Sequence, residues 1–188
     1  MNNRGNKTRM REFMGNVKSN YHRYGYIRSA LIRLMDKGID INTQDSNGGT
    51  ILHIAVKLGD AKLVRLFLKM GVNPDLANSS RQTPLHLAIL KDKLPIVKLL
   101  IDYKADIELV SELEQTPLHL AVYIGDIEIV KYLVKNGADI NTVDEKNVSV
   151  LDYAIDEKNE EIIKYFYSLG VDKEHQLIMN EILKGKSK

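Results

Sequence analysis

Apolar residues fall in short blocks at helical spacing, and the blocks return every 33 residues. Leu63, Val64, Phe67 and Leu68 make one stripe. It recurs as Ile96, Val97, Leu100 and Ile101, as Ile129, Val130, Leu133 and Val134, and as Ile162, Ile163, Phe166 and Tyr167. Ahead of each lies a shorter block opened by a hydroxyl residue. The copies are Thr50-Ile51-Leu52-His53-Ile54-Ala55, Thr83-Pro84-Leu85-His86-Leu87-Ala88, Thr116-Pro117-Leu118-His119-Leu120-Ala121, and a weakened Ser149-Val150-Leu151-Asp152-Tyr153-Ala154. This spacing predicts pairs of short helices. The threonine suits a helix N-cap, its oxygen accepting from a backbone N–H. Pro84 and Pro117 fall at the first helical position, where a missing N–H does no harm.

Each stripe is too broad for one helix pair to bury. Stacked neighbours must bury it, at roughly 1.5–3 kcal/mol per large side chain. A fixed period of this length therefore predicts a linear array of small units. Ala88 is small because the next helix comes close. Gly59 and Gly125 separate the paired helices, and Gly38, Gly71, Gly137 and Gly170 follow the second helices, where a left-handed cap is wanted. Asp40, Asn73, Asp106, Asp139 and Asp172 then open the arm to the next turn. Lys104 replaces one cap glycine, and Asp92 and Lys158 replace the inter-helix glycine, at a local cost if the left-handed geometry is kept.

The T-P-L-H-x-A string, complete at Thr83 and Thr116 and altered at Thr50, resembles the opening of an ankyrin repeat. Gly137-Ala138-Asp139-Ile140-Asn141 is similar to what that family carries after its second helix. The resemblance implies an all-α solenoid of antiparallel helix pairs joined by β-hairpin-like turns. The array is expected over residues 26–172, with repeats near 45–77, 78–110, 111–143 and a divergent 144–172. Residues 1–25 are expected to be a basic segment with a poor capping helix near Glu12–Tyr24, followed by Ile27, Ala30, Leu31 and Leu34 in the place of a second helix. Residues 173–188, with Leu177, Ile178, Ile182 and Leu183, are expected to cap the other end and carry a basic tail.

Composition narrows the function. Charge is uneven: residues 1–35 hold eight Lys/Arg against one acid, and residues 36–172 hold fifteen against twenty-two. The basic leader offers Arg4, Lys7, Arg9, Arg11, Lys18 and Arg23 to nucleic acid or an anionic surface. No recognisable nucleic-acid module accompanies it, so nucleic acid is the alternative rather than the expected partner. There are no cysteines, hence no disulfide or thiolate site. No apolar run is long enough for a membrane span, and no secretory signal is visible. The bias to Lys, Ile and Asn is common in AT-rich coding sequence. It fits a cytoplasmic protein, with delivery into a host cell as a further option. A monomer is expected.

Candidate chemistry is sparse. His53, His86 and His119 recur once per repeat, but stacked helices sit about 8–10 Å apart and a zinc–nitrogen bond spans about 2 Å, so they share no metal. The resemblance implies instead that these imidazoles tie adjacent turns together. The carboxylate pairs sit where the repeat pattern already explains them. No phosphate-binding glycine loop or nucleophile motif is present. No catalytic residue, cofactor or metal is expected.

What remains is the variable surface. The resemblance implies that turn tips and exposed first-helix positions form a concave face that grips another protein. Its positions include Lys57 and Leu58 in the first repeat, Ser80, Gln82, Leu90 and Lys91 in the second, and Glu112, Leu113, Gln115, Tyr123 and Ile124 in the third. A large apolar residue such as Leu113 has little structural reason to sit in a turn tip. Interface centres favour Tyr and apolar anchors inside a polar rim. The expected hot spot is Leu90, Leu113, Tyr123 and Ile124, rimmed by Lys57, Lys91 and Glu112.

Overall fold

A computed structural model of the chain describes residues 3–171. The expected cap at residues 173–188 lies outside the described residues. Ten helices are found among them, and no strand; one antiparallel bridge joins Val143 to Ser149. Two leading helices, α1 (Asn3–Asn20) and α2 (Tyr24–Asp36), precede four helix pairs. The first helices are α3 (Ile51–Lys57), α5 (Pro84–Leu90), α7 (Pro117–Ile124) and α9 (Val150–Asp156). The second helices are α4 (Ala61–Lys69), α6 (Leu94–Asp102), α8 (Ile127–Lys135) and α10 (Glu160–Ser168). First helices pack on first helices and second on second, so each pair leans on its neighbour along one direction.

The core is continuous and follows the stripes. Phe67, Val97, Leu100, Leu133 and Phe166 are fully buried, as are Ala55, Ala88, Ala121 and Ala154 where the first helices meet. The apolar surface is thus hidden between units as well as within them, the arrangement in which stability is a sum of unit and nearest-neighbour terms.

The leading helix differs from the expectation. It runs Asn3–Asn20, not Glu12–Tyr24, and is well formed. Met10, Phe13, Met14 and Val17 supply a buried stripe at i, i+3, i+4 and i+7 that packs against α3. The stripe is narrow and set among cations, and its register falls ahead of the 33-residue frame, so the repeat pattern conceals it. Arg11 Nε donates to the Gln44 carbonyl at 3.3 Å, fastening α1 to the first arm.

The arms between pairs carry a second ladder. Asp40, Asn73, Asp106 and Asp139 each accept, through Oδ1, from the amide two residues on. The side chains of Asn42, Asp75 and Glu108 then accept from the amides of Asn73, Asp106 and Asp139 at 2.8, 2.8 and 3.0 Å. Successive arms are therefore stitched side chain to backbone, which uses polar groups that helix packing leaves unsatisfied.

Left-handed residues recur at fixed places. The turn position is Gly48, Arg81, Glu114 and Asn147, all at positive φ. Glycine is required at the first because a Cβ on Gly48 would lie 2.8 Å from the Ser79 amide nitrogen. Asp92, Lys104 and Lys158 keep the left-handed geometry of the glycines they replace, with φ of 51°, 66° and 55°. Lys104 is exposed. Lys104→Gly should therefore stabilise the array by roughly 0.5–1 kcal/mol, the relieved Cβ strain less the entropy of a glycine in the unfolded chain. A higher urea midpoint is the expected reading, and a lower one would show that the lysine side chain holds something.

Candidate functional site

The first helices stand side by side with their turns projecting from one edge, so turn tips and helix ends share a face. Each first helix is fixed by a reciprocal capping box at Thr50, Thr83, Thr116 or Ser149. The threonine amide donates to the histidine Nδ1 three residues on, at 3.1, 3.2 and 3.3 Å in the three full repeats. An amide can only donate, so Nδ1 is the bare nitrogen and the proton sits on Nε2. That Nε2–H donates across the seam from His53 to the Gln82 carbonyl at 3.0 Å, and from His86 to the Gln115 carbonyl at 3.4 Å. Burial lowers all three imidazoles below the ordinary histidine value, His86 to about 4.

The third seam is made differently. His119 Nε2 is buried and has no hydrogen-bond partner. Its ring meets Tyr153 edge-on at 5.5 Å. The Tyr153 hydroxyl donates to Asp144 Oδ2 at 2.7 Å and accepts from Gln115 Nε2 at 2.7 Å. Burial pushes the Asp144 carboxyl up, but hydrogen bonds from Tyr153, Val148 and Lys146 outweigh it and hold it below the usual range. Burial and then the bond to Asp144 raise the Tyr153 phenol. A side-chain network thus stands in for the imidazole bridge.

Beside this seam lies a groove of about 500 Å³. Its apolar wall is Leu90, Leu113, Leu120, Tyr123 and Tyr153, and its polar rim is Ser80, Gln82, Ser111, Glu112 and Gln115. Leu113 and Tyr123 are 50% and 54% exposed. Of the residues expected at the binding face, Ser80, Gln82, Leu90, Glu112, Leu113, Gln115 and Tyr123 come together here. Ile124 is exposed but does not line the groove, and neither do Leu58, which packs on the core, nor Lys57 and Lys91, which are exposed. Sequence reasoning missed Ser111, Leu120 and Tyr153. The last was legible as a polar-tipped ring where the other repeats carry Ile54, Leu87 and Leu120.

The structural residues sit as follows. Thr50, His53, Thr83, Pro84, His86, Thr116, Pro117 and His119 are all buried at the heads of α3, α5 and α7. On α1, Lys7, Arg9, Arg11 and Lys18 are exposed, and Arg23 stacks 5.2 Å over the Tyr26 ring. Among the described residues no cluster of His, Asp or Glu could hold a metal ion. No helix among them is long and apolar enough to cross a membrane.

Helix pairs that complete their cores only through their neighbours define a solenoid repeat protein. Residues 22–111 and 105–176 match the model for ankyrin repeats (3 copies), and the chain belongs to the ankyrin-repeat family. No curated protein matches it. Ankyrin repeats are in general protein–protein interaction modules, and the family is typically a non-catalytic scaffold.

Proposed function

We propose that the chain binds another protein on its turn-tip and first-helix face, with Leu90, Leu113 and Tyr123 as anchors and Ile124 beside them. The observation that carries this reading is the half-exposed pair Leu113 and Tyr123 on the wall of a groove whose rim is polar. Exposed aromatic and aliphatic groups inside a polar rim are how interface centres are built. Leu90 and Tyr123 stand on capped helices and Leu113 on a turn beside them, so little ordering entropy opposes association. Catalysis has no part in it.

The test is a titration of a partner recovered by the wild-type chain against the Leu113→Ala/Tyr123→Ala double variant. Both side chains are exposed, so the fold is expected to stand, which circular dichroism checks. Affinity should fall by at least about 30-fold, equivalent to about 2 kcal/mol. Unchanged affinity removes the patch from the function.

A second reading rests on the exposed cations of α1 and the Arg23–Tyr26 stack, which would suit nucleic acid or an anionic surface. Repeating the same titration at rising salt separates the two. Binding through several phosphates weakens steeply with salt, and binding through the apolar groove does not.

A further inference from the structure

The four turns are built alike except the third. Asp45 Oδ1 accepts from the amides of Asn47 and Gly49, both at 2.9 Å. Asn78 Oδ1 accepts from Ser80 and Gln82 at 2.9 and 3.0 Å. Asp144 Oδ1 accepts from Lys146 and Val148 at 2.9 and 3.0 Å. The equivalent residue in the third turn is Ser111, one atom too short to reach. Its hydroxyl is buried, lines the groove and has no partner. The Leu113 and Gln115 amides consequently lack the acceptor that their counterparts have.

The neighbouring link is open as well. The Ser79 amide donates to the Asn47 carbonyl at 2.9 Å, and the Glu145 amide to the Leu113 carbonyl at 3.4 Å. The corresponding pair between the second and third turns, the Glu112 amide and the Ser80 carbonyl, makes no such bond, and the groove lies between these two turns. The His86 bridge at the same seam is also longer than the His53 bridge.

Three amides and one hydroxyl thus belong to residues that border a cleft lined by Leu90, Leu113 and Tyr123. Unpaired N–H groups in a turn would ordinarily suit an anion. Here Glu112 and Glu114 lie in the turn itself and Glu145 in the next, so a carboxylate or phosphate is repelled and a neutral carbonyl is favoured. Charge along the face is also polarised. The first two repeats expose Lys57, Arg81 and Lys91 against Asp92. The last two expose Glu112, Glu114, Glu145, Asp156 and Glu157 against Lys146 and Lys158.

From this we infer that the groove receives an extended peptide segment of the partner, whose main-chain carbonyls accept from the third turn while a bulky apolar side chain seats on Leu90, Leu113 and Tyr123 and flanking Lys or Arg residues face Glu145, Asp156 and Glu157. The inference rests on the protein-binding reading and names the chemistry of its partner. The third turn lacks the side-chain acceptor of the other three, which leaves its Leu113 and Gln115 amides open to this contact.

The experiment selects peptides from a displayed random-peptide library on the wild-type chain and measures the affinity of the enriched ones for variants. Enriched sequences should carry a bulky apolar residue flanked by Lys or Arg. Ser111→Asn supplies the acceptor that Asn78 supplies in the second turn, adds no charge and leaves the apolar wall intact. It should weaken these peptides at least tenfold. If Ser111→Asn binds as wild type while Leu113→Ala/Tyr123→Ala does not, the main-chain contact is wrong and the protein-binding patch stands. If enriched peptides lack the basic flank or carry acidic residues there, the partner chemistry is wrong. If no peptide is enriched, or the double variant binds as wild type, both this inference and the reading beneath it fail.

Discussion

Lowering the pH from 7 to 5 should cost the array about 2 kcal/mol of stability through His86 alone, rising to about 3 kcal/mol at pH 4. Burial lowers the folded-state value of His86 from 6.5 to about 4. Below pH 6.5 the unfolded chain takes up a proton that the folded chain refuses, so stability is whole above that pH and drains away as it falls. The geometry gives the cause. His86 Nδ1 is the acceptor for the Thr83 amide, and a proton placed there would set donor against donor and open the capping box. His53 and His119 are built the same way and shift in the same direction. Asp75 and Glu108, raised by burial, act in the opposite sense but from carboxylate values of 3.8 and 4.5, at the acid edge of the window. Asp144, held low, adds to the loss there. Urea midpoints at pH 7 and pH 5 measure the effect. His86→Gln supplies the control, since glutamine also serves at this position of a capping box. It should be less stable at pH 7, where it lacks the bond to Gln115, and should fall less between the two pH values. Equal wild-type midpoints at pH 7 and 5 would falsify the neutral-imidazole account.

The parts of this protein that recur were open to reading, because recurrence separates a structural requirement from accident. Four aligned threonine or serine caps and four apolar stripes leave one fold. The left-handed places at Asp92, Lys104 and Lys158 follow from the glycines one period away. The parts that occur once were hidden. Met10, Phe13, Met14 and Val17 have no aligned copy, so the sequence pattern places the helix they stabilise later, and makes it shorter, than it is. Tyr153 stands in the sequence only as a departure from a motif, although its hydroxyl joins Gln115 to Asp144 across a seam where His119 makes no bridge.

The binding face shows the same division. Leu113 stood out because an exposed leucine in a turn contradicts the bland expectation for that position. Ser111 did not, because serine is an ordinary turn residue. Its meaning appears only beside Asp45, Asn78 and Asp144, whose longer side chains reach two amides each. Ile124 and Leu58 show the limit of reading by register. Both stand one residue after the register position of Leu90 and Tyr123, and neither lines the groove, because side chains at a helix end diverge by about 100° per residue.

Phe67→Ala should be the most damaging single change, at roughly 3–5 kcal/mol. Phe67 is fully buried in α4, which packs on both α3 and α6. The loss is about a fifth or more of what an ordinary domain has to spare. Its reach matters more than its size. In a stack, energy is shared only between neighbours, so a cavity in α4 weakens the first repeat and its contact with the second while the contacts among α7, α8, α9 and α10 remain as they were. Amide exchange should therefore quicken in α3 and α4 and hold its protection in α7 and α8, and the urea transition should broaden or divide. Phe67→Leu keeps most of the volume and should cost about 1 kcal/mol with no division of the transition. Tyr123→Ala, on the exposed face, should move stability by no more than about 0.5 kcal/mol. If Phe67→Ala accelerated exchange equally from α3 to α8, the repeats would be unfolding as one body. The contacts between them would then be too strong for the four turns to behave as separate sites, and the looser seam at Ser111 would have to be understood as a property of the whole array.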